Sequence, residues 1–248
     1  MLLDDFFKKN PRIAVAFSGG VDSSYLLYAA ISAGCDVRAY FIKTQFQPKF
    51  ELEDAVRVAD FTGAGMTVAE MDMLRNSDVS DNPPDRCYHC KYAIMSKLRE
   101  LAGADGYTVL CDGTNADDGE SDRPGMRALR ELGILSPLRD CGMIKSEIRL
   151  LSKQAGLFTH DKPSYACLAT RIPTGTMITE ELLKKIERAE TALMEMGFSD
   201  FRVRFIPPET AKIQLPEDQL ETAASQYAEI TKLLKPLFNS VLLDLTPR

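Results

Sequence analysis

Ser18-Gly19-Gly20-Val21-Asp22-Ser23-Ser24 follows the apolar run Ile13-Ala14-Val15-Ala16-Phe17 and opens a helical pattern that Gly34 ends. The run is short and apolar on both sides, which predicts a strand buried on both faces. A turn between such a strand and a helix aims backbone N–H groups and the positive helix end at one point, so it binds an anion. Gly19 and Gly20 let the backbone approach a phosphate closely, and the hydroxyls of Ser18, Ser23 and Ser24 add hydrogen bonds. No Gly-Lys-Ser/Thr and no G-x-G-x-x-G occurs in this stretch, which excludes the Walker loop and the dinucleotide fingerprint there.

Working outward, short β-branched runs alternate with longer amphipathic segments from Arg12 to about Ser136, the sequence form of a parallel sheet flanked by helices. Strands are predicted at residues 13–17, 37–42, 66–69 and 107–111, with helices at 21–33, 90–101 and 145–155. Another helix carries Leu52, Ala55, Val56 and Ala59 on one face. Beyond Pro173 the rhythm changes to a helix at 180–196, strands at 201–206 and 211–215, a helix at 217–234 and a strand at 241–245. The tight Pro-Pro-Glu turn makes the first two of these strands antiparallel. The expected fold class is therefore α/β, a parallel-sheet, Rossmann-like domain over residues 1–172 with a small α+β domain over 173–248.

With 36 acidic against 30 basic side chains, the chain lacks the electrostatic footprint that nucleic-acid binding exploits. A small-molecule substrate is the better expectation. The first residues lack the basic start and apolar core of a signal peptide, and no stretch is apolar for the ~20 residues of a membrane span, so a cytoplasmic protein with no membrane partner is expected. Six cysteines in a reducing compartment are not a disulfide framework. Cys35, Cys111 and Cys141 sit singly in or beside apolar or turn segments and read as small hydrophobes.

Cys87 and Cys90 form a C-x-x-C at a loop-to-helix junction, and Cys167 lies in Tyr165-Ala166-Cys167-Leu168-Ala169-Thr170-Arg171. A C-x-x-C fits half a zinc site, a redox or persulfide pair, or cluster ligands; zinc would need a fourth ligand, from His89 or His160. Three thiols also suit a 4Fe–4S cluster with one iron open to sulfide or thiolate. Arg202 and Arg204 stand two apart on a strand, so both leave one face and, with Arg171, could grip a phosphate by bidentate bonding; a solvated polar face is the alternative.

The Ser18–Ser24 stretch resembles the SGGxDS PP-loop of the ATP-pyrophosphatase superfamily, and Asp112-Gly113-Thr114-Asn115-Ala116-Asp117-Asp118 resembles its second nucleotide motif. That resemblance implies ATP held by Ser18, Gly19, Gly20, Asp22, Ser23, Ser24, Asp112, Thr114 and Asn115. It also implies Mg2+ held by Asp22 with Asp117 or Asp118. From SGGVDSS through RCYHCK and ACLATRIP to the RVR strand, the chain is similar to the LarE family of sulfur insertases. The family implies adenylation of pyridinium-3,5-biscarboxylic acid mononucleotide, then sulfur transfer, in biosynthesis of the nickel-pincer nucleotide cofactor of lactate racemase. Cys167 matches the position that in some members gives up its own sulfur. Cys87 and Cys90 place the chain in the branch whose members hold a 4Fe–4S cluster carrying sulfide.

The chemistry agrees: a carboxylate must be activated as its mixed anhydride with AMP before a thiolate or sulfide can attack, and Arg171 or iron would keep the thiol ionised. By the same resemblance Glu190 contacts substrate, although an exposed helix charge is the plainer reading, and Gln214 and Glu221 lie where family metal carboxylates are sought. A homo-oligomer assembled through the C-terminal module and a separate sulfur donor are also implied. The rivals are a tRNA-thiolating PP-loop enzyme, which the acidic balance disfavours, and a nucleotide sensor without turnover.

Overall fold

The computed structural model describes residues 2–118 and 124–248. The chain divides into two compact units, one of Met1–Met73 and Asp85–Lys162, the other of Leu74–Pro84 and Pro163–Arg248. The second unit thus takes in residues 74–84 and 163–172, which a boundary at Pro173 assigns to the first domain. The reason is local bonding: Asn82 donates to the carbonyls of Ile172 and Pro173, and Ile178 donates to Ser80.

In chain order the main elements before Pro163 are α1 (Leu3–Lys9), β1 (Arg12–Ala16), α2 (Val21–Ser32), β2 (Asp36–Lys43), α3 (Lys49–Thr62), β3 (Gly65–Glu70), α4 (Ser77–Ser80, in the second unit), α5 (Arg86–Ala104), β4 (Leu110–Asp112), α6 (Pro124–Glu131), α7 (Pro137–Asp140) and α8 (Lys145–Gln154). The strands form one parallel sheet in the order β3-β2-β1-β4. Successive β1 residues feed opposite cores. Ile13 and Val15 pack with Leu26, Leu27, Val58 and Ile148, while Ala14 and Ala16 pack with Met95, Leu98 and Leu129. Burying both faces of a strand is what an unbroken apolar run permits.

Three details differ from the sequence reading. Val56 is 42% exposed, because the residue after Ala55 is turned about 100° around the helix, and Val58 takes the buried place instead. The fourth strand covers Leu110–Asp112 and starts later than Tyr107, whose N–H bonds the Ala102 carbonyl at the end of α5. Helix α5 starts at Arg86, so Cys87 and Cys90 both lie in its opening turns.

The second unit carries α9 (Glu180–Glu195), β5 (Arg202–Ile206), β6 (Thr210–Gln214), α10 (Glu217–Ser225), α11 (Tyr227–Leu234) and β7 (Ser240–Leu243). β5 and β6 pair antiparallel, as the Pro-Pro-Glu turn requires, and β7 joins parallel to β6. The expected helix over 217–234 is two, since Gln226 leaves helical angles (ψ 17°) after Ser225 turns its hydroxyl to the Thr222 carbonyl.

Within this unit Glu190, 1% exposed, forms two bonds with Arg171, Nε–Oε1 at 2.8 Å and a terminal nitrogen to Oε2 at 3.1 Å. Its carboxylate also accepts the Val203 N–H at 2.9 Å and the Tyr165 hydroxyl. Breaking a buried pair from one side strands the other charge, so Glu190→Ala is expected to cost about 3–5 kcal/mol in urea unfolding. The double variant Arg171→Met/Glu190→Leu should lose less than Glu190→Ala; an equal or larger loss would show that the hydrogen bonds to Tyr165 and Val203 matter more than the stranded charge.

Candidate nucleotide site and its cysteines

β1 pairs with β2 on one side and β4 on the other, so the crossover direction reverses between β1 and β4. In open α/β sheets ligands bind at such a point, beyond the carboxyl ends of the strands. Ala16 pairs with Asp112 in register, and the two motif turns therefore leave the sheet side by side. A cavity of about 540 Å³ lies there. It is lined by Ser18, Gly20, Asp22 and Ser23, by Asp112, Gly113, Thr114 and Asp118, and by Cys87, Lys91 and Met95 of α5.

The first turn is fixed by its own hydroxyls. Ser18 Oγ and Ser23 Oγ lie 3.0 Å apart, Ser23 Oγ donates to the Gly20 carbonyl at 3.2 Å, and Ser18 N–H donates to Ser23 Oγ at 3.3 Å. Gly19 has φ +70°, and a Cβ there would stand 3.0 Å from the Ala55 nitrogen, so both conformation and space demand glycine. Ser24 corrects the sequence reading: it is fully buried, and its Oγ has no hydrogen-bond partner among the described residues and takes no part in the cavity wall.

The second turn begins with Asp112, whose carboxylate accepts Ser136 Oγ at 2.7 Å, Thr114 Oγ1 at 2.6 Å and Thr114 N–H at 3.3 Å, with Lys91 Nζ at 3.6 Å. Asn115 Oδ1 accepts the Asp117 N–H at 2.8 Å. Asp118 accepts the Asn115 N–H at 3.0 Å, and Asp117 accepts the Lys145 N–H at 2.7 Å. Lys145 also places its ammonium 2.5 Å from Asp22 Oδ2. Among the described residues no group of three or more His, Cys, Asp or Glu is arranged to hold a metal ion. One oxygen each of Asp117 and Asp118 accepts a backbone N–H, and Asp22 keeps a buried Oδ1 with no hydrogen-bond partner among the described residues.

Burial pushes the Cys35, Cys111 and Cys141 thiols up, which suits small hydrophobes and not nucleophiles. Cys87 is exposed, receives a contact from the Arg86 guanidinium at 3.5 Å, and lines the cavity. Cys90 follows one turn along α5 and Cys167 belongs to the second unit. That division leaves the three-thiol set unassembled within either unit. In the second unit, Arg171 is 1% exposed and directs its nitrogens to Glu190, to the Ala166 carbonyl and to Thr170 Oγ1, not to an open face. Arg202 is buried and bonds the carbonyls of Phe201 and Ser164; Arg204, half-buried, bonds Gln214 and the Thr170 carbonyl. Burial, then repulsion from Arg171 and Arg248, brings Arg202 down to about 10. Glu190 is buried, not on an exposed helix face, Gln214 is tied to Arg204 and Asp244, and Glu221 is exposed.

The family model described as the tRNA methyl transferase HUP domain matches residues 11–76, the stretch that holds the first turn. An uncharacterized protein of Synechocystis is 36% identical over 88% of this chain and 82% of its own length. The pyridinium-3,5-bisthiocarboxylic acid mononucleotide synthase of Lactiplantibacillus plantarum is 31% identical over 94% of this chain and 86% of its own length. This chain belongs to the LarE family. The tRNA-specific 2-thiouridylase MnmA of Thermotoga maritima is also similar, at 24% identity over 61% of this chain and 54% of its own.

LarE membership and the PP-loop fold support an ATP-using sulfurtransferase, and the fold implies ATP with Mg2+. For this LarE chain the structure brings together Ser18, Gly20, Asp22, Ser23, Asp112, Thr114 and Asp118 on one cavity. Sequence reasoning missed Lys91, Lys145, Ser136 and Gly113. Lys91 carried a readable signal, four residues after Cys87 on one helix face. Lys145 carried another, a basic residue opening a helix against the dipole. A Cβ on Gly113 would stand 2.7 Å from the Ser23 nitrogen, so Gly113→Ala must push away the start of α2. Calorimetric titration with an ATP analogue should show an affinity loss of about tenfold or more. Gly103→Ala, which meets nothing within 4 Å, should leave that affinity unchanged.

Proposed function

We propose that this chain adenylates the ring carboxylates of pyridinium-3,5-biscarboxylic acid mononucleotide with ATP and replaces the activated oxygen with sulfur, in biosynthesis of the nickel-pincer nucleotide cofactor of lactate racemase. The observation that carries the reading is the shared cavity, which presents a phosphate-binding turn and the Cys87 thiol together. The named relative from Lactiplantibacillus supports the choice of substrate. A substrate carboxylate oxygen attacks the α-phosphorus, the bond to the bridging oxygen breaks, and pyrophosphate leaves. A sulfur nucleophile then forms a C–S bond at the acyl carbon as the C–O bond breaks and AMP departs.

Each group in the cavity has a role. The N–H groups of the Ser18–Ser23 turn and the start of α2 hold the β- and γ-phosphates. Asp22 would hold magnesium, and the ion would neutralise phosphate charge. Lys91 faces the same space as a second cation. Cys87, Cys90 and Cys167 handle sulfur, either as ligands of a 4Fe–4S cluster that carries sulfide or with Cys167 as donor; nothing in the chemistry above requires the cluster. Arg204, together with Arg202 and Arg171, binds the 5′-phosphate of the mononucleotide. Assembly into a homo-oligomer through the C-terminal module belongs to the same reading.

A second reading, tRNA thiolation, is favoured by the partial likeness to 2-thiouridylases and by the tRNA methyl transferase HUP model over residues 11–76. The net charge of −6 opposes it. Incubation with ATP, the mononucleotide and sulfide should yield AMP, pyrophosphate and a thiocarboxylate, with no retention of tRNA on filters; formation of ADP, or tight tRNA binding, would overturn the proposal. Asp22→Ala should abolish pyrophosphate release. Cys167→Ala should release pyrophosphate without forming thiocarboxylate. Protein purified without oxygen should carry about four irons per chain if the cluster is the carrier. Colourless protein whose Cys167 loses the elements of hydrogen sulfide after turnover would assign the sulfur to that side chain.

A further inference from the structure

Lys145 is the first residue of α8, where the helix dipole disfavours a cation, yet its two nitrogens tie the two nucleotide motifs together. Its N–H donates to Asp117 Oδ2 at 2.7 Å, and its ammonium reaches Asp22 Oδ2 at 2.5 Å. The Lys145 and Asp22 side chains are only 30% and 18% exposed, so the contact is partly shielded from water. The neighbouring carboxylates are engaged as well: Asp112 by Lys91, Ser136 and Thr114, and Asp118 by the Asn115 N–H. Asp22 Oδ1 is left buried without a hydrogen-bond partner among the described residues.

We propose that Lys145 keeps Asp22 and Asp117 from holding a divalent cation by themselves, so that metal enters the site only together with nucleotide phosphate. The proposal rests on the nucleotide reading of this cavity. Asp22 and Asp117 carry two negative charges, and the Lys145 ammonium cancels one of them. A bare cation must displace that ammonium from Asp22 Oδ2 to gain a protein carboxylate, since Oδ1 is buried. A cation that arrives on polyphosphate brings its own oxygen ligands and negative charge, and asks less of the protein. Lys145 is therefore a positioning residue: it holds Oδ2 of Asp22 and offsets the charge that would draw a cation in alone.

Mn2+ binding to the full chain, followed by electron paramagnetic resonance with and without a non-hydrolysable ATP analogue, tests this. Wild-type protein should bind Mn2+ weakly alone and tightly with the analogue. Lys145→Met should raise affinity for Mn2+ alone by about tenfold or more, since the competing cation is gone. Lys145→Arg should behave as wild type, and Asp22→Asn combined with Lys145→Met should lose the gain. Thermal unfolding checks that each variant folds, with Lys145→Gln as the replacement if Lys145→Met does not. Unchanged affinity for Mn2+ alone in a folded Lys145→Met or Lys145→Gln protein would overturn the proposal. Wild-type protein that fails to bind Mn2+ with the analogue would instead overturn the nucleotide reading and remove its basis.

Discussion

The parallel pairing of β1 with β4 governs the nucleotide unit. It sets Ala16 beside Asp112 at the carboxyl edge, so two turns separated by almost a hundred residues begin as neighbours. Because β2 lies on the other side of β1, the helices following β1 and β4 diverge and leave a crevice between them. The crevice is closed below by glycine contacts: Gly113 packs on the Ser23 backbone and Gly19 on that of Ala55. A side chain at Gly113 would push the second turn from the start of α2, and one at Gly19 would push the first turn from α3.

Electrostatics in that crevice follow one pattern. Carboxylates gathered around a phosphate site repel one another and the ligand unless each has a counter-group. Lys91 and two hydroxyls serve Asp112, backbone N–H groups serve Asp117 and Asp118, and Lys145 serves Asp22. One oxygen of Asp22 is the exception, buried without a hydrogen-bond partner among the described residues.

The second unit is organised around a charge of the opposite kind. Glu190 answers the guanidinium of Arg171 directly and, more distantly, those of Arg202 and Arg204, Asp200 also pairs with Arg202, and Tyr165 lies beneath Arg171 and Arg202. A carboxylate so enclosed is part of the folded core.

Sequence alone determined the elements whose signal is local. The apolar run before Ser18, the glycines of the turn and the period of α9 each depend on neighbours a few residues away. From these the parallel sheet, the second α+β unit and the phosphate turn could all be read. Tertiary structure decided which side chains face the ligand. Ser24 turned inward, and Arg171 and Glu190 found each other and closed a buried pair. Lys145 reached Asp22 across 123 residues of chain. Such partners are chosen by the register of strands and the packing of helices against a sheet, which no short stretch of sequence encodes; the identity of a residue states what it could bond, and only the fold states what lies within reach.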